Sequence, residues 1–243
     1  MIEQSRKWLW IWMLVSLMVG WRWLAAQELA PDSAVQLLQQ GRTSYDEQTL
    51  ASASDAFARL TQEHPNNAQF WYERALANSY RSLAYEAQGD KKKAGHALDE
   101  AIGDVQQSLT INDNSADAHS LLADLYGRKI GFGIAMFSGP KYGPKVDQEN
   151  QRALRIDDRN PRVYASLGRQ YLLAPKMFGG DPDKAVENFR KSTQLDPKSD
   201  ETFVWLAIAL RKKGDEAGAR QALNEAFRLN PASAFAKETA AAK

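Results

Sequence analysis

The stretch DPKSDETFVWLAIALRKKGDEAGARQALNEAFRLNP, residues 196–231, decides the fold. Its two prolines, Pro197 and Pro231, stand 34 positions apart. Phe203, Leu206, Ala207 and Leu210 fall at i, i+3, i+4 and i+7, the spacing of one helix face, and Ala219, Leu223, Ala226 and Leu229 form a second stripe. Gly214-Asp215 supports a turn between the two helices, and Pro231 cannot continue the second because it has no amide hydrogen. Small side chains at Ala207 and Ala219 let the axes approach. A hairpin of this kind cannot bury its apolar face alone, so neighbouring copies must stack on it.

Working backwards, Tyr164, Leu167, Gly168 and Tyr171 make the same first stripe, and Ala185, Phe189, Ser192 and Leu195 the second. His119, Leu122, Ala123 and Tyr126, then Ala153 and Ile156, make an earlier copy; Trp71, Ala75 and Asn78, then Ala101, Val105, Ser108 and Ile111, one before that. The first copy, with Leu37, Leu38 and Gly41 and then Ala53, Phe57 and Leu60, is the least typical. Position by position the chain resembles the tetratricopeptide repeat (TPR) family of the exported bacterial type. In that consensus, large, small, aromatic and alanine landmarks lead to a proline at position 32. The resemblance implies an all-α solenoid of about five antiparallel helix hairpins with inserted loops. Copies are expected over about 33–65, 68–113, 116–158, 161–197 and 200–231, with a capping tail over 232–243. The whole repeat domain spans 27–243.

Three copies are longer than the plain repeat. From Ala68 to Gln88 the chain is strong helix former, and Gly89-Asp90 turns it into Lys91 to Leu109, so here both helices lengthen. Gly127 to Pro144 holds five glycines and two prolines, a composition that argues against continuous helix. Leu172 to Asp183, with Pro175, Gly179, Gly180 and Pro182, reads as a shaped loop.

The amino end carries Arg6 and Lys7, then fourteen uncharged positions from Trp8 to Trp21, then Arg22 and small residues at Ala25-Ala26. This is the build of a secretory signal peptide over 1–26, cleaved after Ala26, which sets the protein in the periplasm or outside the cell. A retained anchor is the alternative, although a spanning helix needs about 20 apolar residues. Removal of Arg6, Lys7, Arg22 and Glu3 takes 31 basic and 30 acidic residues to 28 and 29, a formal charge of −1. Such a balance gives no electrostatic case for nucleic acid. The membrane is a partner only through the signal.

No chemistry is expected. The chain has no cysteine, and its three histidines, His64, His96 and His119, have no second ligand at metal spacing. Phosphate-loop and nucleophile-elbow motifs are absent. Asp157-Asp158 and Asp181/Asp183 lie at helix boundaries, where acidic residues cap. We therefore expect no enzyme, no cofactor and no metal.

What remains is the concave surface, which the family lines with first helices. That resemblance implies groove positions at Tyr72, Tyr80, Asp124, Arg128, Arg162, Arg169, Arg211 and Lys212, with Asp117 and Glu201 among their neighbours. The mixture of cations and tyrosines suits an extended peptide with acidic and apolar side chains, and charge reversal at Arg162 and Arg169 should leave folding intact. The loops add apolar bulk at Phe132, Met136, Phe137, Tyr142, Met177 and Phe178. Either one loop packs on the other and caps an edge of the solenoid, or they form a partner site. The sequence thus predicts a scaffold in the cell envelope that holds another protein or peptide. The alternative is a periplasmic small-molecule-binding component that serves a solute transporter.

Overall fold

The computed structural model describes residues 31–133 and 135–242, and for Ala135 and Met136 the backbone alone. The expected signal peptide and its cleavage site after Ala26 lie outside the described residues. Eleven α-helices follow one another without a strand among the described residues: α1 (Pro31–Ser44), α2 (Glu47–Glu63), α3 (Ala68–Ala87), α4 (Lys91–Ile111), α5 (Ala116–Phe132), α6 (Ala135–Ile156), α7 (Pro161–Leu173), α8 (Pro182–Leu195), α9 (Asp200–Lys212), α10 (Glu216–Leu229) and α11 (Ala234–Ala241). A 3₁₀ turn, Lys176–Phe178, separates α7 from α8. None of these helices is long and apolar enough to cross a membrane.

Consecutive helices pair as hairpins, α1 with α2 through α9 with α10, and each hairpin packs on the next mainly by its second helix against the next copy's first, except between copies three and four, where α5 meets α7. The fold is a TPR solenoid. Its core is correspondingly segmented into four clusters, each lying across neighbouring copies, as expected when every repeat buries its face only against adjacent ones. Alanines fill the closest approaches: Ala75, Ala101, Ala118, Ala123, Ala153, Ala185, Ala207, Ala219 and Ala226 are completely buried. Where even alanine is too large, glycine stands. A Cβ on Gly168 would lie 2.6 Å from the Phe189 ring, and one on Gly41 2.7 Å from Leu50.

Helix starts are fixed locally by side-chain caps. The amides of Thr49, Lys93, Ala118, Arg162, Thr202 and Gly218 bond to the side chains of Asp46, Asp90, Ser115, Asn160, Ser199 and Asp215. Gly214 ends the α9 turn at φ +84°, the left-handed conformation that glycine adopts without a Cβ clash.

The second copy lengthens as expected, into helices of 20 and 21 residues. The third does not form the loop its composition suggested. Helix α5 runs to Phe132, and α6 starts at Ala135 and includes Pro140 and Pro144. The reason is which face each residue occupies. A Cβ on Gly127, Gly131, Gly139 or Gly143 would meet nothing within 4 Å, so these glycines lie outward and cost only helix propensity. Phe132, Tyr142 and Val146 face inward onto the core of copies two and three. Ser138 Oγ also donates to the Ile130 carbonyl at 3.1 Å, tying the start of α6 to the end of α5. Inward packing outweighs the amide bonds that the two prolines remove. The tail does form a last helix: α11 packs on α9 and α10, with Phe235 against Trp205 at 5.2 Å.

Candidate functional site: a closed groove and an exposed rim

First helices α3, α5, α7 and α9 present the expected groove residues to one another, and the groove they form is closed by their own side chains. Arg169 on α7 holds Asp124 on α5 through two bonds, Nε–Oδ1 at 3.0 Å and Nη2–Oδ2 at 2.5 Å, while its guanidinium lies over the Trp205 ring of α9. Ser166 donates to the same carboxylate at 2.9 Å. Two turns earlier on the same helix, Arg162 Nη1 donates to the Tyr72 hydroxyl at 3.0 Å, 90 residues away in sequence, and its Nε lies 3.5 Å from Asp117. Arg128 donates to the Ser79 carbonyl, to the Ser82 hydroxyl and to Glu86. Arg211 staples the tail by donating to the carbonyls of Thr239 and Ala242, and Lys212 Nζ donates to the Leu172 carbonyl at 2.5 Å.

The longest span is made by Tyr80, whose hydroxyl donates to Glu201 Oε2 at 2.8 Å across 121 residues. Beside it, Arg42 from α1 lies over the Tyr80 ring and 3.8 Å from Asp200. Burial pushes the Glu201 carboxyl up, but Arg42, Arg169, the Tyr80 hydrogen bond and Arg162 together outweigh it and hold it below the usual carboxylate range. Burial raises Tyr72 and Tyr80 well above the ordinary phenol range, so both stay neutral, Tyr72 accepting from Arg162 and Tyr80 donating to Glu201. The space left between the first and fifth copies is a cavity of about 20 Å³ lined by Arg42, Tyr45, Tyr80, Glu201, Asn230 and Phe235 among others. That is room for about one water.

Each of the eight groove candidates is therefore engaged within the chain. Two expectations change as a result. Arg162 and Arg169 are not free cations awaiting a peptide, and reversing both would set like charges against Asp117 and Asp124 inside the groove, which opposes folding. Repeat positions supplied the eight candidates. They gave no sign that Arg42 and Tyr45 reach the groove, because the first copy departs furthest from the pattern.

The two inserted segments divide. Phe132 and Tyr142 are core residues, Tyr142 stacking on Tyr126 with centroids 5.8 Å apart. The side chain of Met136 lies outside the described residues. Phe137 is 70% exposed at the start of α6. Between α7 and α8 the loop is real, and it displays Leu173, Met177 and Phe178 at 61%, 82% and 65% exposure. It does not cap the solenoid by burying its apolar groups, as one expectation had it. Its backbone is nonetheless held at several points: Phe178 and Gly180 amides donate to the Pro175 carbonyl, and Asp181 donates to Tyr171 at 2.9 Å. Gly180 is required there, since a Cβ would sit 1.9 Å from the Ala174 carbonyl oxygen.

A second, open cleft of about 720 Å³ lies between the turns that join copies one, two and three, with Tyr72 in its lining. His64, Asn66, Asn67, Gln69, Tyr72, Ser108 and Asn112 line it with uncharged polar groups for the most part. His119, expected to pack, is buried with Nδ1 2.5 Å from Glu149, and His96 is exposed on the outside of α4. Among the described residues no group of three or more His, Asp or Glu is placed to hold a metal ion.

Comparison with known proteins follows the same outline. The family model described as regulator of microtubule dynamics protein 1-3 matches residues 32–242. No curated protein matches the chain. Among solved structures, TTC0263, a thermophilic TPR protein of Thermus thermophilus, is 16% identical, with 85% of this chain and 97% of that one covered at a TM-score of 0.61. The HusA haemophore from Porphyromonas gingivalis is 16% identical, with 85% and 96% covered at 0.57. At such identity these two likenesses speak for the fold alone.

Proposed function

The chain belongs to the regulator of microtubule dynamics protein 1-3 family, and on that premise we propose that it is a non-enzymatic scaffold that binds another protein through the rim loop between α7 and α8. The observation that carries this is the display of Leu173, Met177 and Phe178 on a backbone held by its own hydrogen bonds. Exposed apolar groups on an ordered loop lose little conformational entropy when a partner covers them, and they have no use in a solvated turn. The groove is the weaker candidate, because its cations already have partners.

We further propose that the protein works in the cell envelope or outside the cell. The support is the uncharged run Trp8 to Trp21 followed by Ala25-Ala26. An intact mass short of residues 1–26 on the exported protein supports this, and a full-length mass at the membrane supports the retained anchor instead.

The test of the scaffold is a photo-crosslinking amino acid introduced in cells in place of Phe178, with Glu187 on the outer face of α8 as control. The expected result is one dominant protein adduct at 178 that is absent at 187 and lost when Met177→Ser is added. The same adducts at both positions, or lipid adducts alone, refute the proposal. The polar cleft of about 720 Å³ supports a second reading, the binding of a small polar molecule. Native mass spectrometry that finds a stoichiometric small molecule on the purified protein would put that reading first.

A further inference from the structure

Three residues of the first two copies, Arg42, Tyr45 and Tyr80, meet Asp200 and Glu201 of the fifth copy across the groove, with Phe235 of the tail beside them. We propose that this contact is a latch: it holds the solenoid closed on itself, and its release converts a closed ring into an open superhelix with an accessible groove. The inference does not rest on the rim loop, none of whose residues takes part in the contact.

Three observations support a latch in place of an ordinary core contact. The closure is made by side chains alone, since no helix of the first two copies packs along a helix of the fifth. A solenoid can therefore open there without breaking any hairpin. The join is also thinly hydrogen-bonded. Glu201, deep in the groove, accepts one hydrogen bond, from Tyr80, while Arg42, Arg169 and Arg162 act on it through charge without a direct bond, and the Arg42–Asp200 pair stands at 3.8 Å, whereas Arg169 and Asp124 within the solenoid body are bound through two.

The third observation is backbone strain. Among the described residues Tyr45 is the sole non-glycine with positive φ, +53°, at the point where α1 ends and the Asp46 amide closes back on the Gly41 carbonyl at 3.2 Å. Helices commonly end this way, but on glycine or asparagine. A bulky tyrosine holds the left-handed conformation only where its ring gains something. Here the ring lies 6.5 Å from Tyr80 and lines the cavity with Glu201 and Phe235.

The chain has no cysteine, so two can be introduced for spin labels without background. We choose Gln39 on α1 and Lys237 on α11, both exposed. In the otherwise unchanged protein the distance distribution should be single and narrow. Tyr45→Asn, which relieves the strain while removing the ring, and Tyr80→Phe, which removes one hydroxyl, should each add a longer, broader component. In Tyr80→Phe, amide exchange over residues 231–242 should then accelerate by about tenfold, the effect of losing one charge-assisted hydrogen bond. Circular dichroism should hold the helix content constant in both variants, and Tyr45→Asn should leave exchange within α1 no faster. A narrow distribution unchanged in both folded variants overturns the latch. If Tyr80→Phe unfolds the chain, Tyr45→Asn alone decides.

Discussion

Replacing Gly168 by alanine sets two effects of known size against each other. Gly168 lies within α7, where alanine favours helix over glycine by about 1 kcal/mol. Its Cβ, however, would fall 2.6 to 2.8 Å from three carbons of the Phe189 ring, against the 3.5 to 4.0 Å at which carbon atoms attract. The ring would have to retreat by roughly 1 Å. Phe189 is completely buried and stacks on Trp205 with centroids 6.4 Å apart and planes 11° from parallel, so nothing behind it yields easily. Overpacking of this kind costs about 1 to 3 kcal/mol, which leaves a net loss of up to about 2 kcal/mol.

Urea unfolding followed by circular dichroism measures the loss, and tryptophan fluorescence in a Trp71→Phe background adds a probe, Trp205, that stacks on the ring. Two companions make the reasoning refutable. In a Phe189→Leu background the same alanine should become neutral or stabilising, the clash having gone. Gly103→Ala in α4, where a Cβ would meet nothing within 4 Å, should stabilise by up to about 1 kcal/mol. If Gly168→Ala stabilises the unaltered chain, or its cost persists in the Phe189→Leu background, close packing is not why glycine stands there.

Breaking the Arg169–Asp124 pair by Arg169→Ala strands a largely buried carboxylate and should lower stability by about 3 kcal/mol or more, read as a shift in the urea midpoint. Burial lifts Asp104, beside Arg74 and Asn78, to about 6 from a usual value near 3.8. The native state therefore holds this proton more tightly than the unfolded chain, and stability should rise as pH falls from about 7 to about 4, by at most about 3 kcal/mol. Asp104→Asn should remove that part of the slope, and a titration of stability with identical slopes in both proteins would contradict the assignment. Gly180→Ala should loosen the loop alone, accelerating amide exchange over 173–182 while the thermal midpoint moves by less than about 3 °C.

The helical pattern was legible because its causes are local. Apolar residues at i, i+3, i+4 and i+7, cap residues such as Ser199 and Asp215, and the turn at Gly214 each act within a few positions, so the hairpins and their stacking could be read copy by copy. Composition misled where it was taken without its face. Gly127, Gly131, Pro140 and Pro144 suggested a loop, yet the residues between them carry an inward stripe through Phe132 and Tyr142, and packing kept the segment helical.

Repeat position alone named the groove candidates. That Tyr80 would meet Glu201, and Arg162 meet Tyr72, was not legible from it. Which residues face each other across a solenoid depends on the rotation accumulated over every intervening hairpin, and here that rotation is altered by long helices in copies two and three and by the loop in copy four. Likewise only the assembled chain shows that Met177 and Phe178 stay in solvent, because an apolar side chain is buried when a neighbour is within reach, and whether one is within reach is a property of the tertiary structure. Sequence by itself thus determined a stack of five helix pairs and named candidates for its inner wall. Tertiary structure decided that the wall closes on itself and leaves its apolar surface at the rim, since both depend on distances between parts of the chain that no local pattern encodes.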